Sequence, residues 1–181
     1  MERRLGAKGN AGERSTCRTQ SRESVQRSLG RVRQRARQER RGRFTSLLHH
    51  VTPELLEAAF LSLRKDAAAG IDGVVWREYE IDRVSNLRGL HERVQRGTYR
   101  PKASRRQYIP KADGRLRPLG IAALEDKIVQ SALVSVLNAV YEEDFVGFSY
   151  GFRPGRGQHD ALDALAVGID RAKVNWVVDA D

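Results

Sequence analysis

The sequence predicts an α+β fold that is mostly helical, with one short antiparallel β-hairpin and a strand near the C-terminal end. Three observations lead to this prediction. Apolar residues recur at helical spacing in four segments. Two strand-like runs, Arg106–Ile109 and Leu116–Ile121, flank the turn signal Ala112-Asp113-Gly114. The final segment, Asn175–Asp181, is apolar and ends in Asp179-Ala180-Asp181.

The N-terminal segment, residues 1–43, is predicted to be a basic, disordered arm. Residues 1–45 carry 14 Lys/Arg against four Asp/Glu, and the rest of the chain carries 19 of each, so the net charge of +10 lies in the N-terminal quarter. Such a segment is too polar to bury a core of its own. Its part Ser24–Arg41 could become helical against a polyanion.

The folded part begins near Phe44, and its helices are placed by apolar periodicity and capping residues. Thr52 followed by Pro53 is a typical helix start, and glycine is a typical stop. Helices are therefore predicted at Thr52–Gly70, Ser85–Gln95, Glu125–Glu142 and Gln158–Arg171.

Cationic side chains gather on the predicted hairpin. Residues 93–117 hold nine basic side chains and one acid, Asp113. If Gly114 closes a three-residue loop, Lys111 faces Arg115, and Arg117 lies on the same face. An incoming triphosphate needs such a fixed cationic cradle. The alternative is a solvated, charged hairpin face.

The overall charge indicates a polyanionic partner. The isoelectric point is about 10.3, and arginine predominates over lysine, which suits phosphate recognition. Nucleic acid is favoured over an anionic membrane surface. No apolar run is long enough for a spanning helix or a secretory signal. The single cysteine, Cys17, cannot form an internal disulfide, and we expect a cytoplasmic location.

Three further segments have local chemical interest. Gly70-Ile71-Asp72-Gly73 is a tight-turn signal. The segment Gly151–Gly157 offers two arginines at a helix start but lacks the spacing of an ATP-binding loop. Asp179 and Asp181 lie on one face at a strand end, where carboxylates are good Mg²⁺ ligands, although one strand end is not a metal site.

The order of these motifs is more specific than any of them alone. It comprises Gly70–Gly73, Tyr99-Arg100-Pro101, Ile109–Ile121, Asp126–Gln130, Ser149–Gly155, His159–Leu162 and Trp176–Asp181. This series resembles the opening blocks of group II intron-encoded reverse transcriptase/maturases and covers residues 44–181. The resemblance implies that residues 44–174 form the fingers region of an RNA-directed DNA polymerase and that residues 175–181 are the first strand of a truncated palm.

The same resemblance implies residue roles. Lys111 and Arg117 would contact the phosphates of a deoxynucleotide triphosphate, and Asp181 would be the first catalytic, Mg²⁺-binding aspartate. Contacts with template or other RNA are implied for Ile121, beneath the templating base, and for Gly70, Asp72, Gly73, Arg105, Arg106, Arg115 and Arg153.

The function implied by the resemblance is binding of intron RNA and template-primer. Complete relatives would polymerise deoxynucleotides on RNA with Mg²⁺. We expect this chain to be inactive as a polymerase alone, because it has no Tyr-x-Asp-Asp segment. The alternatives are a non-catalytic RNA-binding module and a nonfunctional remnant of a retroelement.

Overall fold

Helices make up most of the fold. The computed structural model describes residues 11–39, 42–171, 174, 176 and 178. Among these residues the elements follow in the order α1 (Ala11–Gln38), a 3-10 turn (Leu48–His50), α2 (Pro53–Ser62), α3 (Trp76–Ile81), α4 (Arg83–Gln95), β1 (Arg105–Pro110), β2 (Leu116–Ile121), α5 (Leu124–Tyr141) and α6 (Gln158–Arg171). The α+β class and the antiparallel hairpin are confirmed. The predicted strand Asn175–Asp181 lies mostly outside the described residues.

The hydrophobic core lies between α2, α3, α4 and α5. The ring of Phe60, which is fully buried, stacks on Trp76 with their centroids 4.7 Å apart. The Trp76 indole N–H donates to the Phe60 carbonyl oxygen over 3.1 Å, so the one polar atom of this ring is satisfied inside the core. Helices α4 and α5 contribute apolar side chains at helical spacing: Leu87, Leu90, Val94, Leu124, Ile128, Val129, Ala132 and Val136.

Helix α2 begins where the sequence predicts and ends earlier. Thr52 Oγ1 accepts a hydrogen bond from the Leu55 N–H, and Pro53 occupies the first helical position. The helix ends at Ser62 instead of continuing to Gly70, and the backbone of Leu63 is already extended. The early end is consistent with packing of the unpredicted α3 onto the core, where Trp76 uses the Phe60 carbonyl.

Helix α1 occupies most of the segment that the sequence predicts to be a disordered arm, including Ser24–Gln38, where the sequence allows a helix. One narrow stripe of this helix faces the rest of the protein, with the pattern i, i+4, i+7, i+11: Val25, Leu29, Val32 and Ala36. The arginines beside the stripe make contacts too, and Arg37 Nε lies 3.0 Å from Glu143 Oε2. Four apolar residues thus give the helix a packing surface that the average polarity of the segment concealed.

Helix α6 differs from the other long helices because none of its residues is buried. Its larger apolar side chains are all exposed: Leu162, Leu165, Val167 and Ile169. None of the helices within the described residues has both the length and the apolar character that crossing a bilayer requires.

Candidate nucleic-acid interface

The hairpin of residues 105–121, called here the cationic hairpin, is exposed on both faces. Every residue of β1 and β2 except Ile121 is exposed. Lys111 donates its backbone N–H to the Arg115 carbonyl oxygen over 2.8 Å. Gly114 closes the turn with a φ of 80°, a left-handed conformation that glycine adopts at little steric cost. The predicted three-residue loop is therefore confirmed.

The strand register assigns the predicted site residues to faces. Arg105 pairs with Ile121, and Ile109 pairs with Arg117. Directly opposite residues share a face, and so do alternate residues along one strand. Lys111 and Arg117, the predicted phosphate contacts, thus lie on the same face as Ile121, and Arg105 joins them. Arg106 lies on the opposite face.

The cations of the hairpin differ in whether an acid neutralises them. The Arg115 guanidinium lies 2.7 Å from the Asp113 carboxylate, and this hydrogen bond lowers the pKa of Asp113. Within the described part of the chain, neither an ion pair nor a side-chain hydrogen bond is formed by Arg105, Arg106, Lys111 or Arg117. Four positive charges on exposed strands and their turn are therefore open to a polyanion.

The predicted turn Gly70–Gly73 lies against the junction between β2 and α5. A Cβ at Gly70 would come within 2.5 Å of the Ala123 Cα, so only glycine allows this approach. Asp72 pairs with Lys102 Nζ at 3.0 Å, and Lys102 lies shortly before β1. The turn thus joins the two ends of the hairpin to the core. A direct RNA contact of Gly70, Asp72 or Gly73 stays a prediction.

A buried carboxylate fixes the segment that enters β1. Asp126 is 4% exposed and accepts hydrogen bonds from the Tyr99 hydroxyl and from the Lys102 backbone N–H, the second over 3.1 Å. Burial and the bond to Asp126 raise the pKa of Tyr99. Asp126 and Tyr99 belong to two motifs of the sequence, and local patterns give neither side chain a role. The two residues are far apart in the sequence, so the periodicity of apolar residues does not reveal that their side chains are in contact.

An ion pair between α4 and α5 lies beside this network. The Arg93 guanidinium bonds to Glu125 Oε1 over 2.7 Å, and the Tyr79 hydroxyl donates to the same oxygen over 3.3 Å. Burial, followed by the charge of Glu125, raises the pKa of Tyr79. Arg93, one of the nine cations in residues 93–117, is thus neutralised by an acid within the protein.

Arg153, predicted to contact template, is buried inside its own loop. Its side chain is 6% exposed and bonds to Glu142 Oε2 over 2.9 Å. Its guanidinium also donates to the carbonyl oxygens of Val146 and Ser149 and lies over the Phe145 ring. Hydrogen bonding to Arg153 lowers the pKa of Glu142. Arg153 therefore organises residues 142–157, called here the Arg153 loop, and its contact with RNA stays a prediction.

The residue before Arg153 has an unusual backbone. Phe152 adopts a φ of 55°, and its ring is fully exposed. A left-handed conformation costs a residue with a side chain about 1–2 kcal/mol. Such strain persists where the surrounding structure fixes it. Here the hydrogen bonds from Arg153 to Glu142, Val146 and Ser149 supply that constraint.

The predicted Mg²⁺ ligand Asp181 and its neighbour Asp179 lie outside the described residues. Among the residues that are described, no group of three or more His, Cys, Asp or Glu side chains is arranged to hold a metal ion. The Mg²⁺ site and the palm strand stay predictions.

Known proteins similar to this chain include proteins encoded by introns. The chain is 38% identical over 146 residues to the protein YkfC of Escherichia coli (strain K12), covering 77% of this chain and 38% of YkfC. It is 31% identical over 140 residues to the group II intron-encoded protein LtrA of Lactococcus lactis subsp. cremoris, covering 76% of this chain and 23% of LtrA.

A shorter match is 43% identical over 77 residues to a 91 kDa protein in the cob intron of Schizosaccharomyces pombe, covering 42% of this chain. No family model matches the chain. The chain spans less than two fifths of YkfC and less than one quarter of LtrA.

Proposed function

Because the chain belongs to the family of group II intron-encoded proteins, we propose that it binds RNA, and intron RNA in particular, through the cationic hairpin. The backbone phosphates of RNA are the partner that matches arginine and lysine side chains on an exposed strand pair. The turn at Gly70 and the buried Asp126 hold the hairpin to the core, so its charges are presented from a fixed base.

One observation supports this proposal above the others. Four cations of the hairpin have no acidic partner within the described residues, whereas Arg115 of the same hairpin is neutralised by Asp113. Surface arginines elsewhere in the fold are often paired, as Arg77 is with Asp66 and Arg96 with Glu92. All four lie within residues 105–117, so the hairpin carries a dense group of positive charges without acidic partners.

A finer proposal concerns the nucleotide. Lys111 and Arg117 would contact the phosphates of an incoming deoxynucleotide triphosphate, and Ile121, on the same face, would pack beneath the templating base. The strand register supports these roles because it puts Lys111, Arg117 and Ile121 on one face of the hairpin. In RNA-templated DNA synthesis, Asp181 would hold Mg²⁺, which neutralises the charge of the transferring phosphates.

RNA binding is tested with the purified chain and a fluorescein-labelled RNA stem-loop, by fluorescence anisotropy at several KCl concentrations. The logarithm of the binding constant is expected to fall steeply with the logarithm of salt concentration, with a slope of about −0.9 for each phosphate contacted on a duplex. The variant Arg106→Gln/Arg117→Gln should bind more weakly and show a shallower slope.

The matched control is Arg77→Gln/Arg96→Gln, which removes the same charge from two exposed, paired arginines. It should bind nearly as the wild type does. Equal losses in both double variants would mean that net charge, not the hairpin, governs binding. If the wild-type chain has no measurable affinity for RNA, the proposal of RNA binding fails. The alternative that the chain is a nonfunctional remnant is then favoured.

Catalysis is a separate question, and we propose that this chain alone does not extend a primer. The sequence contains no adjacent pair of aspartates that could join Asp181 in holding Mg²⁺. Primer extension with template RNA, deoxynucleotides and Mg²⁺ checks this directly. Template-dependent addition of nucleotides would overturn the proposal of inactivity and leave the proposal of RNA binding standing.

A further inference from the structure

Two phenylalanine rings of the Arg153 loop are exposed to solvent. Phe152 is fully exposed and Phe148 is 78% exposed. We infer that these rings form a second RNA contact, a stacking site for unpaired bases of single-stranded RNA. This inference rests on the proposed RNA-binding function, and it adds a contact that reads unpaired bases to the phosphate contacts of the hairpin.

The aromatic side chains of this loop divide into two groups. The Phe145 ring has the Arg153 guanidinium 4.8 Å from its centroid, and the Tyr150 ring has the Arg156 guanidinium at 5.3 Å. Neither a cation nor another ring lies over Phe148 or Phe152 within the described residues. The first group holds the loop together, and the second group leaves its π faces open.

The Phe152 backbone is held so that its ring stays exposed. Arg153, the next residue, is anchored by Glu142 and by the carbonyl oxygens of Val146 and Ser149. These bonds fix the loop on both sides of Phe148 and maintain the left-handed φ of Phe152. A ring presented by a fixed backbone loses little freedom when a base stacks on it.

Arginines and acids lie together at the start of the loop. Arg33 and Arg37 of α1 reach Glu143, and Arg153 pairs with Glu142. Arg156 also lies close enough to help lower the pKa of Glu142. The four arginines outnumber the three acids Glu142, Glu143 and Asp144, and this small excess of positive charge suits the phosphates that accompany an unpaired base. Aromatic rings beside arginines are the arrangement by which proteins bind single-stranded nucleic acid.

The decisive comparison is between Phe152→Leu and Phe152→Trp in the full chain. Leucine keeps an apolar side chain of similar size but lacks a π face, and tryptophan keeps the π face. Binding is measured for an unstructured single-stranded RNA and for an RNA duplex of equal length at one salt concentration. Phe152→Leu should lower single-strand affinity by roughly 5- to 150-fold. Phe152→Trp should retain it, and duplex affinity should change little in either variant.

A spectroscopic measurement provides independent support. In the Trp176→Phe background, Phe152→Trp leaves Trp76, which is buried, and the new exposed indole. Single-stranded RNA should quench the fluorescence of the new indole, and the duplex should not. Phe148→Leu, at the second open ring, should also weaken the binding of single-stranded RNA and leave the binding of the duplex unchanged.

The outcomes separate the two proposals. If the wild-type chain binds neither RNA, the proposed function itself fails. If it binds both and Phe152→Leu binds single strands as well as the wild type, only the stacking site is overturned. If leucine is tolerated and Phe152→Asp abolishes self-association in sedimentation experiments, the rings are a protein contact, and the inference is equally overturned. Circular dichroism verifies that each variant is folded.

Discussion

Gly70 lies so close to Ala123 that a Cβ at position 70 would come within 2.5 Å of the Ala123 Cα and within 2.7 Å of its N atom. Both neighbouring atoms belong to the backbone, so no side-chain rotation could relieve the clash. Ala123 immediately precedes α5 and is 1% exposed. The turn at Gly70 is thereby packed directly on the link between the cationic hairpin and the longest helix of the core.

Gly70→Ala is expected to destabilise the protein. Either the turn or the start of α5 must move to make room for the methyl group, and overpacking of this kind costs about 1–3 kcal/mol in the free energy of unfolding. Urea denaturation followed by circular dichroism measures the change. The control is Gly89→Ala within α4, where a Cβ meets nothing within 4 Å. It should stabilise the protein by about 0.5–1 kcal/mol. If Gly70→Ala did not lower the free energy of unfolding, the close contact between Gly70 and Ala123 would be contradicted.

Arg117→Gln should weaken RNA binding and reduce the magnitude of the salt slope by about 0.9, the loss of one phosphate contact on a duplex. The matched control is Arg77→Gln. It removes one positive charge from an exposed arginine that pairs with Asp66 outside the hairpin. We expect its affinity and salt slope, measured by anisotropy, to equal those of the wild type. A loss as large as that of Arg117→Gln would show that paired and unpaired cations contribute alike.

The Arg153–Glu142 pair should make stability depend on pH in the acid range. Hydrogen bonding to Arg153 lowers the pKa of Glu142 from its ordinary value of 4.5. Stabilisation from a lowered carboxylate pKa is present above the ordinary value and is lost as the pH falls through the lowered one. Glu142→Gln should therefore be less stable than the wild type at about pH 7, and the difference should shrink at about pH 3.

Urea denaturation at the two pH values measures this difference. Glu92→Gln is the comparison, since Glu92 pairs with Arg96 on an exposed helix surface, where ion pairs contribute little. A constant difference between Glu142→Gln and the wild type across the two pH values would show that Glu142 does not act through its charge.

Val32→Asp should release α1 from the rest of the fold. Val32 is 4% exposed, and burying an unpaired carboxylate there is unfavourable. Trypsin should then cleave faster after Arg33 and Arg37, which lie on this helix and contact Glu143 in the intact fold. Gln34→Asp introduces the same charge at an exposed position of the same helix and should leave the cleavage rate nearly unchanged. Equal cleavage of both variants would mean that α1 is not held by its apolar stripe.

Much of the fold could be predicted from local patterns. The Thr52–Pro53 start of α2, the extent of α4, the hairpin and the long α5 all follow from capping, turn chemistry and periodicity. A helix at α1 in the absence of a polyanion could not be predicted in the same way. Its apolar stripe is only one residue wide per turn and is hidden among arginines, so average polarity was misleading. Helix α3 was missed because its six residues depend on Trp76 packing against Phe60.

The candidate site was predictable only in part. The positions of Lys111, Arg117 and Ile121 on one face follow from strand alternation, which the sequence carries. The distinction between neutralised Arg115 and unpaired Arg117 depends on the side-chain conformations in the folded protein. The burial of Arg153 is likewise a tertiary property, because Glu142 and two carbonyl oxygens reach it from a loop whose path no local pattern specifies.

The cationic hairpin buries almost no side chains, and this has a consequence for its motion. Its strands are held together chiefly by their own backbone ladder, so separating them leaves the packing of Phe60, Trp76 and Ile128 intact. Amide protons of the hairpin should therefore exchange with solvent long before those of α5 do. A charged element that can bend while its base stays anchored can follow grooves of different width without loss of the helical core.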